Sequence, residues 1–103
     1  MDIERIQTKE GIKFKIKGSL SGSLKSTFNL FESVSLELEK KPKAVFLDLE
    51  NVLYVDSMSI GLLIGMLLKG KEKQIGIYFE KIPEDVMKIF EASNLKKAFP
   101  DLY

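Results

Sequence analysis

Asp56, Ser57 and Ser59 are the residues of this chain whose types and spacing point most directly to chemistry. They stand in the stretch YVDSMSIGLLIG, residues 54–65, where an apolar segment stops and a helical pattern begins. A serine at a helix start has two uses. Its oxygen can accept from the free N–H groups of the first turn and so cap the helix. Alternatively its hydroxyl, held at the surface by the turn, can be phosphorylated, and a helix N-terminus tolerates the anion that results. The residues alone leave both uses open for Ser57. Asp56 beside it either ends the strand and caps the helix or positions the hydroxyl.

Other chemistries are excluded by what the chain lacks. It has no histidine and no cysteine. That removes the commonest general base, the thiol nucleophile and the usual metal ligands, and leaves no disulfide. The serine- and glycine-rich stretch GSLSGSL lacks the Gly-Lys-Ser/Thr ending of a phosphate-binding loop. No pair of carboxylates has an evident catalytic placement, so a non-enzymatic protein without metal or cofactor is expected. The net charge is +1, which supplies no field for nucleic acid or anionic membrane. The longest apolar run, residues 58–68, is too short to span a bilayer, and the polar start MDIERIQTKE is not a signal peptide. A cytoplasmic location without membrane insertion is the expectation.

Periodicity along the chain defines the framework around these residues. With 103 residues, 45% hydrophobic and 30% charged, the chain suits one globular domain over residues 1–103. GIKFKIK alternates strictly, with Ile12, Phe14 and Ile16 on one side and lysines on a solvated other side. DIERIQT before it completes a hairpin through a turn at KEG. GSLSGSL reads as a turn. Residues 23–40 then take a helical period, with Leu24, Phe28, Phe31, Val34 and Leu38 on one stripe and the glutamates of ESVSLELEK on a solvated face. Residues 44–49 are nearly continuous apolar, as in a strand buried on both faces, with Asp48 as a structural hydrogen-bonding group. A short EN step precedes VLYVDS, and a helix follows from about Ser57 to Gly70. QIGIYFE is the next strand, and Pro83 opens a helix at its first position. The tail LKKAFPDLY is expected to pack Leu95 and Phe99 onto the body. The fold class is α/β: a mixed four-stranded sheet with helices packed on it, in the order ββαβαβα plus a C-terminal tail.

The helix after Asp56 carries apolar residues on more than one side. Ile60, Leu63, Ile64, Leu67 and Leu68 form a core face. Met58, Leu62 and Met66, spaced four apart, lie nearly opposite. This second stripe is either core beneath a neighbouring helix or an adaptable, methionine-rich docking surface. Gly61 and Gly65 flank it and would let a partner backbone approach.

The segment AVFLDLENVLYVDSMSIGLLIG resembles the signature of the STAS domain family, shared by sulfate transporters and anti-sigma factor antagonists. The matching positions are Asp48, Leu49, Val52, Val55, Asp56, Ser57, Ile60, Gly61 and Gly65. The resemblance implies an anti-sigma factor antagonist. Its partner would be an anti-sigma factor that is itself a serine kinase. Phosphorylation of the serine after the motif aspartate, here Ser57, would switch binding off, and a PP2C-type phosphatase would reset it. The sequence departs from the motif at Met58, where a second serine or threonine is common, and at Ser59, where glycine is usual. Ser59 is thereby a rival acceptor. The family resemblance also allows an assembly role, as a subunit of a lipid-transport ABC system or of a stress-sensing complex.

Overall fold

A computed structural model describes residues 2–103. Four strands, β1 (Asp2–Gln7), β2 (Ile12–Leu20), β3 (Ala44–Val55) and β4 (Gly76–Glu80), form one sheet in the order β1-β2-β3-β4. β1 and β2 are an antiparallel hairpin, while β2–β3 and β3–β4 are parallel. The connections are α1 (Lys25–Glu39) and α2 (Ser57–Glu72), followed after β4 by α3 (Glu84–Ala92) and the single turn α4 (Leu95–Ala98). The expected element order and both parallel pairings are present.

Strand alternation sorts the residues onto two faces. Ile12 pairs with Val45 and Phe14 with Leu47, and these in turn pair with Ile77 and Phe79. All six are buried. Two successive crossovers in one direction place α1 and α2 on this face. α3 lies there too, with the Phe90 ring 5.2 Å from that of Phe79. The other face carries Lys13, Lys15 and Lys17. On it Phe46 stacks on Tyr78 at 5.5 Å, and Lys13 pairs with Glu80 at 3.1 Å. α1 and α2 are joined at their ends, where Glu39 of α1 meets Lys69 and Lys73 of α2 at 3.0 and 3.2 Å.

Several boundaries differ from the sequence expectation. β2 runs on through Gly18–Leu20, a stretch expected to be a turn, because it continues to pair with β3 as far as Leu20 opposite Val55. β3 is one strand, not two pieces divided at Glu50 and Asn51. The register slips twice, and each time β3 carries an extra residue: Lys15 pairs with Asp48 but Lys17 with Asn51, and Gly18 pairs with Val52 but Ser19 with Tyr54. These are bulges. They change the burial period from two to three, so that Leu49, Val52 and Val55 are buried while Glu50, Asn51, Leu53 and Tyr54 face solvent. Asp48 Oδ1 accepts the Glu50 N–H at 3.0 Å and ties down the first bulge.

The buried stripe of α1 is also rotated from the expected one. Thr27, Leu30, Phe31, Val34, Glu37 and Leu38 are inside, whereas Leu24 and Phe28 are exposed. Glu37 was expected on a solvated face. It is buried because Arg5 of β1 reaches across to it at 2.7 Å, and that hydrogen bond holds the Glu37 carboxyl below the usual range. On α2, Leu68 is exposed rather than core. Pro83 sits at the N-cap of α3, one residue before its first position. In the tail Leu95 is buried as expected, Phe99 is half-buried, and the Leu102 carbonyl accepts the Phe79 N–H of β4 at 2.7 Å.

Three helices end without glycine at the left-handed position beyond them. Lys41, Gln74 and Asn94 take φ values of 54°, 60° and 54°. After α2 the Gln74 N–H returns to the Lys71 carbonyl and the Ile75 N–H to the Gly70 carbonyl, a Schellman termination. A side chain strains that conformation. Lys41→Gly and Gln74→Gly are each expected to raise unfolding stability by up to about 1 kcal/mol, measured by urea denaturation, whereas Lys40→Gly, one residue earlier in a right-handed conformation, is expected to lower it.

Candidate functional site

The site forms where β2 and β3 end side by side. Leu20 pairs with Val55, so the loop after β2 and the start of α2 emerge together. The Asp56 N–H donates to the Leu20 carbonyl at 3.1 Å, extending the strand pairing one residue into the turn. Asp56 has an extended backbone and is the N-cap of α2.

The Asp56 carboxylate is a hub. Oδ1 accepts the Ser59 N–H at 2.8 Å, which satisfies a free donor of the first turn. Both oxygens lie 3.1 Å from the Gly22 N–H, and Oδ2 accepts the Ser21 hydroxyl at 3.0 Å. The Ser21 and Ser23 hydroxyl oxygens are 2.9 Å apart, continuing the chain of contacts outward. The Ser59 N–H, together with the Gly22 N–H and the Ser21 hydroxyl, outweighs partial desolvation and lowers the Asp56 pKa to about 2. The carboxylate is therefore ionised at any physiological pH and is too weak a base for proton abstraction. Its role is to fasten the 21–23 loop to the helix.

Capping was one of the two uses that the sequence left open for Ser57. The cap is Asp56 instead, because a carboxylate one residue earlier already occupies the N–H that the serine would have met. Ser57 is the first helical residue, it is exposed, and no hydrogen bond within the described residues engages its hydroxyl. Ser59 is opposite in every respect. It is 0% exposed, its N–H is held by Asp56, and its Oγ has no partner. A modifying enzyme reaches it only if the first turn of α2 opens.

Met58 is 60% exposed and its side chain lies over Gly22. A Cβ at position 22 would come within 2.3 Å of Met58 Cγ. The missing side chain at Gly22 thus lets the loop pass beneath Met58 while its N–H reaches Asp56. Around this point the surface is apolar: Leu53 is 76% exposed, and Tyr54 is exposed beside it. At the start of α1, Leu24 and Phe28 are exposed as well.

The expected Met58, Leu62 and Met66 stripe is not a single exposed surface. Met58 is open, Leu62 is half-buried, and Met66 is 3% exposed in the core. Helix α1 runs alongside α2, so α2 is covered on a second side and not only by the sheet. The solvent-facing line is displaced to Ser57, Gly61, Gly65 and Leu68. A Cβ at Gly61 or Gly65 would meet nothing within 4 Å. Sequence reasoning found both glycines but missed the 21–23 loop and the exposed pair Leu53 and Tyr54. The signal for that pair was available in the three-residue spacing of Leu49, Val52 and Val55.

Among the described residues no group of three or more Asp or Glu side chains converges to hold a metal ion, and no helix is long and apolar enough to cross a membrane.

The profile of the STAS domain family matches residues 4–103. Among solved structures, the unphosphorylated anti-sigma factor antagonist SpoIIAA superposes with a TM-score of 0.76 at 16% identity, over 91% of this chain and 82% of that one. An anti-sigma factor antagonist from Mycobacterium paratuberculosis gives the same TM-score at 18% identity, over 96% of this chain and 82% of that one. A search of curated protein sequences finds no match. At such identities the shared feature is the fold.

The low pKa of Asp56 sets an acid dependence. A carboxylate whose folded pKa lies near 2, against an ordinary 3.8, contributes stability that is complete above about pH 4 and is lost as pH falls toward 2. Melting curves of the wild type and Asp56→Ala between pH 7 and pH 2 are expected to differ most at the upper end and to converge at the lower.

Proposed function

Because the chain belongs to the STAS domain family, we propose that it acts as a cytoplasmic, non-catalytic anti-sigma factor antagonist, switched by phosphate on Ser57. In this reading it binds an anti-sigma factor that is a serine kinase and so frees a sigma factor. The kinase ends the interaction by phosphorylating Ser57, and a PP2C-type phosphatase restores it.

The observation that carries this reading is the uncommitted, exposed Ser57 hydroxyl at the first position of α2, bordered by exposed Leu53, Tyr54 and Met58. A phosphate there adds about −1.5 to −2 charge. The helix N-terminus offsets part of this, so the fold survives. The neighbouring Asp56 is already ionised, however, and the two together make a strongly anionic point at the edge of an apolar surface. Covering that surface would then require desolvating the phosphate, at a cost that weakens the complex. The glycine line Gly61–Gly65 continues the contact along α2 and admits close approach of a partner backbone.

Incubation with the anti-sigma kinase and ATP is expected to add one phosphate, mapped by mass spectrometry to Ser57. Ser57→Ala should abolish it and change stability by less than about 0.5 kcal/mol, since this serine does not cap the helix. Phosphate found at Ser59, or none with a cognate kinase, removes Ser57 from the role. Co-purification with a transporter ATPase instead would favour the assembly role.

The binding surface is tested separately. Leu53→Lys and Met58→Lys are expected to weaken kinase binding in calorimetry with melting temperatures unchanged. Met66→Lys places a charge in the core and is expected to unfold the domain.

A further inference from the structure

Sulfur in this chain is confined to thioethers, since it has four methionines and no cysteine. The described methionines are placed very differently. Met66 lies in the core, Met87 is half-buried, and Met58 is open to solvent on the first turn of α2. Met58 also stands where the family motif commonly has a serine or threonine, so its sulfur is particular to this chain.

The Met58 side chain has a defined seat. A Cβ at position 22 would overlap Cβ, Cγ and Sδ of Met58, so the thioether rests directly on the backbone of the 21–23 loop. Gly22 is buried there. Its N–H is donated to the Asp56 carboxylate, which also takes the Ser59 N–H. Met58 is thus an apolar cover over hydrogen bonds that are already complete. Its outer side belongs to the same exposed end as Leu53 and Tyr54.

We propose that Met58 is a reversible oxidation site, converted to the sulfoxide by a two-electron oxidant of the peroxide class, and that this modification weakens kinase docking without phosphate. The effect on docking rests on the function proposed above; the site and its selectivity do not. A lone pair of Sδ attacks one oxygen of hydrogen peroxide. The S–O bond forms, the O–O bond breaks, and water leaves after proton transfer. Sulfur loses two electrons and the peroxide gains them. A methionine sulfoxide reductase reverses the step, releasing the oxygen as water while two of its thiols become a disulfide.

The surroundings of the sulfur determine what the new oxygen does. Turned inward, it meets the Gly22 backbone, whose N–H is already donated to Asp56 and cannot receive it. Turned outward, it faces solvent in the middle of an apolar surface. In both cases a partner that covers Met58 must desolvate a strong acceptor. Ser57 and Met58 are adjacent, so phosphate and sulfoxide act on one surface, the first through charge and the second through polarity alone.

The test treats the 15N-labelled full chain alone with hydrogen peroxide, which catalase removes before the kinase is added. Peptide mapping is expected to show Met58 oxidised roughly tenfold faster than Met87 or Met66. The Gly22 amide should shift while the melting temperature holds. Kinase binding in calorimetry should fall about tenfold and return after treatment with a sulfoxide reductase and dithiothreitol. Met58→Leu keeps an apolar side chain that cannot be oxidised, and its affinity should not respond to peroxide. Oxidation no faster at Met58 than at Met87 overturns the inference. So does undiminished binding by protein oxidised at Met58, or an equal peroxide response in Met58→Leu. Failure of the untreated chain to bind the kinase would instead sink the antagonist role; the rate at Met58, the Gly22 shift and reversal by the reductase then decide the oxidation site by themselves.

Discussion

The carboxylate of Asp56 is the constraint on which the arrangement of this end of the molecule depends. Strand pairing brings the ends of β2 and β3 together, but it does not fix the path of the chain beyond them. One side chain then binds the Ser59 N–H of α2 and the Gly22 N–H and Ser21 hydroxyl of the preceding loop. Because the donors stabilise its charged form, the group keeps this role at any pH a cell experiences. Its effect on the neighbouring serines is a division of labour. Ser59 is drawn into the first turn and closed off. Ser57 is left without structural duty and open to solvent.

The surface around Ser57 owes its character to irregular backbone rather than to a regular face. A strand without bulges would alternate its side chains and bury Leu53 or Tyr54 against a neighbour. Two extra residues in β3 turn both outward, just before the helix, while the three-residue spacing keeps Leu49, Val52 and Val55 in the core. Asp48 contributes from a distance, holding the first bulge through the Glu50 N–H. Bulges that re-aim side chains beside a functional site are a recurring use of this irregularity.

Much of this was legible in the sequence, for local reasons. The alternation of Ile12, Phe14 and Ile16 and the apolar run at 44–49 define the two central strands, and the order of periods gives the parallel topology. The family-like segment marks Ser57, Gly61 and Gly65. What escaped was set by contacts distant in sequence. Glu37 looks solvent-facing on its own helix and is buried only because Arg5, on a strand at the sheet edge, reaches it. Met66 could be read as core or as surface from its own helix, and its burial is settled by α1 packing along a second side of α2. Ser21 and Gly22 look like an ordinary turn until Asp56 is placed beside them. Periodicity describes one element at a time, and each of these facts belongs to two.

The open line of α2 has a thermodynamic consequence. Gly61 and Gly65 lie inside a helix, and each lowers helix stability by about 1 kcal/mol relative to alanine. Neither recovers this through packing, since nothing surrounds the place where a Cβ would be. The stretch of α2 from Ser57 to Gly65 carries this loss, and it is anchored by Asp56 at its start and by Ile60 and Leu63 beneath it. Local opening is easiest in such a segment. The same two positions that make the surface smooth make the helix prone to fray, so alanine there would stabilise the free domain while roughening the face it presents. Stability and accessibility are opposed along one line of the molecule.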